Sequence, residues 1–529
     1  MDANQFRKAA HAAIEEIIQY YDTLPSRKVV ADVQPGYLAP QLPEQAPLQG
    51  QPWEAVQKDI EKLIVPGLTH WQHPNFMAFF PSNISYPGIL GELYSSVYSA
   101  PAFNWLCSPA ITELETVMMD WVAQMIGLPE CFLSKTEGGG VIQGTASEAV
   151  VTVMVAARER ALRRLTQSHA GEKERESAKD ALRGKLVALG SEHAHSSTQK
   201  GALIAGTKIR TVPVFRKDAY GMKGSALKRV LEDCKNEGLV PYYITVTLGT
   251  TNTCAIDDFE EIAEVLKDWP DIWVHVDAAY AGSALSCPEY QHYTKAFSSF
   301  DSVDFNMHKW MLTNFDLSCL FIRKRSDLTS SLSITPSYLR NTFSESGLVT
   351  DYRDWQIPLG RRFRSLKVWF VLRSYGVEGI QKFIRSHIKL GEYFHSLIKS
   401  RGDLFDVLAG PAFALTVISC KPRQHQNLVK ATDVDPSHER YTNDFTHDAE
   451  SQARLDANAL TKAVYERINK KGEIFLTSTV VGGVYAIRIV SANTQTEEQY
   501  LRRCFDLLVE TTEAVFKDQD QDRVVVNGL

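Results

Sequence analysis

The chain has 529 residues, 44% of them hydrophobic and 23% charged, with a formal net charge of -6. That length exceeds one ordinary hydrophobic core, so two or three packed regions are expected, and the acidic balance argues against a nucleic-acid polyanion as main partner. The eight cysteines are scattered without a CxxC pair, the pattern of reduced thiols in a cytoplasmic protein. No apolar stretch approaches the ~20 residues that a membrane-spanning helix requires. Met1 to Leu24 carries charges throughout and spaces Phe6, Ile14, Ile17, Ile18 and Tyr21 as an amphipathic helix, not a signal peptide. A Pro-rich extended segment follows, Val33 to Pro52, and residues 1–85 read as a helical segment that wraps around something else, a partner subunit being one possibility.

From Ile111 to about Arg325, helical patterns (Glu113 to Ile126, Ala146 to Leu165, Ala226 to Glu237) alternate with β-branched runs (Leu186 to Leu189, Thr211 to Val214, Tyr242 to Leu248, Ile272 to Val276). Such alternation predicts an α/β domain with a mostly parallel sheet covered by helices, placed at 86–382. Beyond that, helices and short strands such as Phe413 to Ile418 and Val484 to Val490 predict a smaller α+β domain over 383–529. Ile334 to Gly347, polar with Tyr338 near its start, reads as a mobile loop. Arg423 to Gln452 reads as a solvated loop or disordered segment rather than a metal site, since its acidic residues show no fixed ligand spacing.

The chemistry centres on Lys309, in Asn306-Met307-His308-Lys309-Trp310, soon after an apolar run that ends in Asp277. Schiff-base chemistry needs a lysine able to lose its proton and condense with an aldehyde, such as that of pyridoxal phosphate (PLP). A carboxylate beside the pyridine nitrogen keeps that nitrogen protonated, and Asp277 supplies one. Glu137 to Glu148 is Gly-rich and opens a helix, so its free amides and the helix dipole suit a phosphate as well as a simple capped turn. It matches neither GxGxxG nor GxxxxGK[ST], which weakens nicotinamide and P-loop readings. His195 follows one strand pattern and could stack a flat imidazole on a flat cofactor or be an ordinary core histidine. Thr251 follows another strand at a position where open α/β sheets place ligand loops. His308 could contact the cofactor or cap the preceding strand.

In ordered succession, Thr69-His70-Trp71, Thr112-Glu113-Leu114-Glu115, the Gly-rich segment, His275-Val276-Asp277-Ala278-Ala279-Tyr280, His308-Lys309-Trp310 and Trp355-Gln356-Ile357-Pro358-Leu359-Gly360-Arg361 resemble the PLP-dependent group II decarboxylases, closest to the aromatic L-amino acid decarboxylases. The resemblance implies the fold type I (aspartate aminotransferase-like) architecture, with a mostly parallel seven-stranded sheet, and an obligate homodimer with active sites at the subunit interface. It implies that Lys309 carries the cofactor, Asp277 binds the pyridine nitrogen and His195 stacks on the ring. Ala146, Ser147 and Asn306 would hold the phosphate, Leu359 and Gly360 would reach it from the other subunit, and Thr251 and His308 would lie beside the cofactor. Phe103 of one subunit would line the other's substrate pocket, near Trp71, Phe79, Phe80, Pro81 and Ser82. Tyr338 aligns with the catalytic-loop tyrosine that protonates Cα. The chain departs from the animal enzymes at Met307 (a proline there), Phe79 (tyrosine), Pro101 (a branched aliphatic) and Ser82 (threonine).

The activity so implied is decarboxylation of an aromatic amino acid to its arylalkylamine. Gly360 is the residue associated with indole-accepting members, so tryptophan or 5-hydroxytryptophan leads over DOPA, tyrosine and phenylalanine. An aromatic acetaldehyde synthase is the first rival, although plant members with that activity carry Phe where Tyr338 stands. A decarboxylase of acidic substrates would need a cation in a segment, Trp71 to Ser82, that is largely aromatic and apolar. A catalytically silent scaffold would not be expected to retain both Lys309 and Asp277.

Overall fold

The computed structural model describes residues 1–334, 339, 341–345, 348–423 and 449–527. Seven strands build the larger sheet: β1 (Gly139–Gln143), β2 (Leu186–Ser191), β3 (Lys208–Val212), β4 (Val240–Thr247), β5 (Trp273–Asp277), β6 (Ser302–Phe305) and β7 (Ser318–Ile322). Their spatial order is β1-β7-β6-β5-β4-β2-β3. Pairings from β3 to β6 are parallel, whereas β7 runs antiparallel to both β6 and β1. The mostly parallel seven-stranded sheet read from the sequence is therefore present. Every residue of β1, β2, β5, β6 and β7 is buried, because helices cover both faces, and this produces continuous apolar runs rather than alternation.

Several elements depart from their sequence patterns for local reasons. Gly139–Gln143 lies inside the stretch read as a helix-opening turn, yet it forms an edge strand. Its glycines serve close packing: a Cβ on Gly138 would stand 2.0 Å from the carbonyl oxygen of Cys131, and one on Gly140 would stand 2.6 Å from Met119 Cε. The strand expected at Thr211 to Val214 instead spans Lys208–Val212 and stops before Pro213, which has no amide to give the ladder. The expected helix at Glu113 begins at Pro109, a favoured first helical residue. Helix Ala146–Leu165 has the expected bounds and packs on β4, β5, β6 and β7.

The long helix Ser365–Ser400, broken at Gly376 (φ 65°, ψ 172°), leads from the large sheet to a four-stranded antiparallel sheet. That sheet contains β8 (Phe405–Ala412), β9 (Leu415–Cys420), β10 (Thr477–Val481) and β11 (Val484–Val490) in the order β10-β11-β9-β8. The strand expected from Phe413 starts two residues later, because Phe413 and Ala414 take positive φ (44° and 66°) in the β8–β9 turn. The expected N-terminal helix is present as Ala3–Thr23, capped by the Asp2 side chain. Further along, Met77 donates its amide to Phe475 and accepts from the Val490 amide, so the segment before Phe80 is laced to the small sheet. The loop expected at Ile334 to Gly347 and the insertion at Arg423 to Gln452 lie largely outside the described residues.

The Gly138 contact is directly testable. Gly138→Ala must displace backbone, an overpacking cost of ~1–3 kcal/mol. The expected result is an apparent Tm several degrees below that of the parent by differential scanning fluorimetry, and an unchanged Tm would refute the contact.

Candidate active site

Parallel order brings the carboxyl ends of β2, β4, β5 and β6 to one edge of the sheet, and β1, twice reversed through β7, ends on the same edge. Open α/β sheets bind ligands at that edge, where the loops leaving each strand converge. Here they enclose a cavity of about 210 Å³. Thr145, Ala146 and Ser147 reach it from β1, His195 from β2, Thr247, Gly249 and Thr251 from β4, and Asp277, Ala279 and Tyr280 from β5. Asn306, His308 and Lys309 follow β6, and Phe80 completes the wall. Nine of the residues singled out in the sequence therefore face one space: Lys309, Asp277, His195, Ala146, Ser147, Thr251, Asn306, His308 and Phe80.

Several are held by specific contacts. Asp277 is 3% exposed and accepts the Ala279 amide at 3.0 Å. The Asn306 side-chain oxygen accepts the Ala146 amide at 3.0 Å, tying the lysine turn to the start of helix Ala146–Leu165. Thr145 caps that helix through the Glu148 amide, so its dipole points positive into the cavity. His195 Nδ1 accepts the Ser197 amide at 3.2 Å, which leaves the proton of a neutral ring on Nε2. Burial lowers the His195 pKa, so this flat ring is neutral at physiological pH. His308 Nδ1 likewise accepts the Leu317 amide at 2.9 Å, and burial together with the Lys309 charge presses its pKa down to about 3.

Lys309 lines the cavity and is half-buried. Burial lowers its pKa, favouring the neutral amine, while Asp277 and Asp304 pull in the opposite direction. Its Nζ lies 5.6 Å from the centre of the Phe80 ring. Phe80 stacks on Tyr280 (centroids 3.7 Å apart), and Tyr280 stacks on Trp310 (4.8 Å), giving the cavity an aromatic wall.

Other predicted residues lie elsewhere in the single chain. Trp71 and Phe79, 39% and 44% exposed, stack on each other at 5.5 Å away from the cavity lining. Pro81, Ser82 and Phe103 do not line it either. Leu359 is 46% exposed, and Gly360 borders a separate groove with Ser95, Pro101 and Arg362. Tyr338 lies outside the described residues.

Sequence reasoning missed Thr145, Thr247, Gly249, Ala279 and Tyr280 as cavity residues; the strand ends carry the signal for all of them. It also missed Arg488, on β11, whose guanidinium carbon lies 5.2 Å from the Phe80 ring centre. Arg488 is 3% exposed and donates to Thr477 at 3.1 Å, but its Nε and Nη2 have no hydrogen-bond partner among the described residues. Burial lowers its pKa to about 10. The absence of a cation from Trp71 to Ser82 therefore does not exclude an acidic substrate, because a distant strand supplies one behind Phe80.

The donor set fits PLP. A buried carboxylate, a neutral flat histidine, a helix N-terminus and a half-buried lysine surround one cavity, and Thr247 Oγ1 on its wall is buried without a hydrogen-bond partner among the described residues.

The pyridoxal-dependent decarboxylase conserved domain matches residues 35–421. An aromatic-L-amino-acid decarboxylase of Bos taurus is 38% identical over 530 residues, covering 100% of both chains. The crystal structure of Oryza sativa TDC with PLP and tryptamine superposes with a TM-score of 0.87 at 36% identity, over 97% of this chain and 99% of that one. That of Rhodiola rosea 4-hydroxyphenylacetaldehyde synthase gives 0.83 at 34% identity over the same shares. Among the described residues no helix is long and apolar enough to cross a membrane. With the lysine, the carboxylate and the phosphate-sized helix terminus at one strand edge, the chain belongs to the pyridoxal-dependent decarboxylases, a PLP enzyme and carboxy-lyase close to the aromatic-L-amino-acid decarboxylases.

Proposed function

We propose that the protein converts an aromatic L-amino acid to its arylalkylamine and carbon dioxide, with tryptophan or 5-hydroxytryptophan preferred and DOPA, tyrosine and phenylalanine as further candidates. The observation that carries this reading is the convergence of Lys309 and Asp277 on one cavity walled by Phe80 and Tyr280, with Trp310 stacked behind Tyr280. Bound PLP supplies the electron sink for cleavage next to the carboxylate. The chain's own residues do the rest. Lys309, favoured as a neutral amine by burial, is the nucleophile that holds the cofactor. Asp277 keeps the ring nitrogen protonated, and His195 offers it a neutral face. Thr251 and His308 flank it, while Ala146, Ser147, Asn306 and the helix N-terminus receive the phosphate.

Arg488 backs Phe80 from outside the cavity lining, with Nε and Nη2 unpaired among the described residues. Trp71, Phe79, Pro81, Ser82 and Phe103 serve the substrate end only if a second copy completes the pocket. The exposure of Leu359 and Gly360 away from their own chain's cavity supports a homodimer. Tyr338 is the proposed donor of the proton to Cα, and its phenol supports amine over aldehyde as product.

The deciding experiment incubates PLP-loaded protein separately with tryptophan, 5-hydroxytryptophan, DOPA, tyrosine, phenylalanine and glutamate, and quantifies amine, aldehyde, peroxide and carbon dioxide. Equimolar aromatic amine and carbon dioxide are expected. Aldehyde with peroxide would move the protein to the synthases, and turnover of glutamate alone would overturn the aromatic assignment.

Three variants probe the roles. Lys309→Ala should abolish both turnover and the visible absorbance of the attached cofactor. Asp277→Asn leaves the ring nitrogen without its counter-charge and should lower kcat by a hundred-fold or more, on the order of 3 kcal/mol or above. Tyr338→Phe should divert product toward aldehyde, peroxide and ammonia; release of amine alone would remove Tyr338 from this role.

A further inference from the structure

Behind Asp277, on the same face of the sheet, lies a polar layer that the reaction as described does not use. The register of β5 and β6 sets Asp277 opposite Asp304 and His275 opposite Ser302. Strands in such a pair run ~4.8 Å apart, and residues two apart on a strand share a face, so the two carboxylates are neighbours. His275, Ser302 and Asp304 are all fully buried. His275 Nε2 is 2.9 Å from Asp304 Oδ1, and His275 Nδ1 is 2.8 Å from Ser302 Oγ. The Trp273 indole N–H donates to that same Oγ at 2.8 Å. Among the described residues, the second oxygen of Asp304 has one long contact, 3.5 Å, from the Ser318 hydroxyl.

The groups facing the pair are these. β4 contributes Tyr243, its ring 6.2 Å from that of His275. β5 contributes Asp277. β7 contributes Ser318 and the buried thiol of Cys319, whose pKa Asp304 helps to raise. Helix Ala146–Leu165 contributes Arg160, over the Trp273 ring at 4.6 Å, and Lys309 follows β6. Asp257 lies further along, bonded by the amides of Met222 and Thr247 and coupled to Asp277.

With one shared proton the His275–Asp304 pair carries no net charge; without it the pair is a buried anion beside a second carboxylate. We propose that the pair is a positioning element under the cofactor site, which on losing that proton becomes a second negative charge strengthening the hold of Asp277 on a cationic pyridine ring. This rests on the proposed role of Asp277 toward PLP. The Asp304 carboxyl is pushed up to about 6, by burial first and by Asp277 beside it, against the opposing hydrogen bond and charge of His275.

The sign follows from linkage. A cation bound at Asp277 favours the deprotonated pair, so deprotonation tightens cofactor binding, and the gain appears as pH rises through the titration of the pair. In Asp304→Asn the amide oxygen still accepts from His275 Nε2–H, but the pair no longer becomes an anion. The test measures the dissociation constant of PLP from the full-length parent and from D304N at intervals between pH 5 and pH 8, by visible absorbance without substrate. The affinity ratio of parent to variant should rise about ten-fold across that interval. A ratio constant with pH, which a merely structural defect or titration of Asp257 or Lys309 would give, overturns the proposal. Should D304N fail to fold, Ser302→Ala removes the hydroxyl bonded to His275 Nδ1 and must likewise give a ratio that varies with pH. Because no turnover is read, a protein that makes no aromatic amine still reports on the pair, whereas failure to bind PLP at any pH overturns both the pair and the role of Asp277.

Discussion

The costliest feature of this molecule is a lysine and two carboxylates taken out of water at the end of a sheet. Removing an ion from water costs several kcal/mol even after relaxation, so such groups persist only where geometry lets them offset one another. Asp277 and Asp304 both oppose the burial that drives Lys309 toward its neutral form, and both depend on the register of β5 against β6. A slip of one residue would turn Asp277 to the opposite face and leave the lysine uncompensated. Burial therefore moves Lys309 toward the neutral amine, and the two carboxylates limit that shift.

Covering the sheet on both faces is what makes this environment dry. The same coverage permits polar chemistry only at the strand ends, where chain leaves the sheet and backbone amides become free. Helix Ala146–Leu165 brings its N-terminus to that edge, and the Asn306 bond to Ala146 fixes it against the lysine turn. The wall opposite comes from far away in sequence. Phe80 arrives because Met77 is bonded to the small sheet, and Arg488 arrives because β11 belongs to that sheet. The cavity is thus lined by the loops of the large sheet and by Phe80, and Phe80 is in turn backed by Arg488 of the four-stranded sheet.

Periodicity made most helices and buried strands legible along the chain, because repeated apolar positions survive in any window long enough to show them. Helix Ala146–Leu165 and strand Val484–Val490 have the bounds their patterns suggested. Strand Gly139–Gln143 did not, since glycines needed for close approach to Cys131 and Met119 look locally like a turn. Strand Leu415–Cys420 began late, since nothing in the residue types of Phe413 and Ala414 announces positive φ.

The class of chemistry was legible in the sequence: a lysine and an aspartate after successive apolar runs, in a characteristic order of motifs, point to a pyridoxal-dependent decarboxylase, and the family match bears that out. Which groups surround that site was not, because hydrogen-bond and charge partners are set by strand order, and strand order is a property of the folded chain. Asp304 reads as one more residue of a short strand until β6 is placed beside β5, and Arg488 as a strand arginine until β11 is placed behind Phe80. Residues 184 and 211 positions apart in the chain, Asp304 and Arg488 from one another and Arg488 from Asp277, act on the same lysine only because the sheet edges meet, and electrostatic coupling depends on distance through space and exclusion of water, neither of which a linear sequence contains.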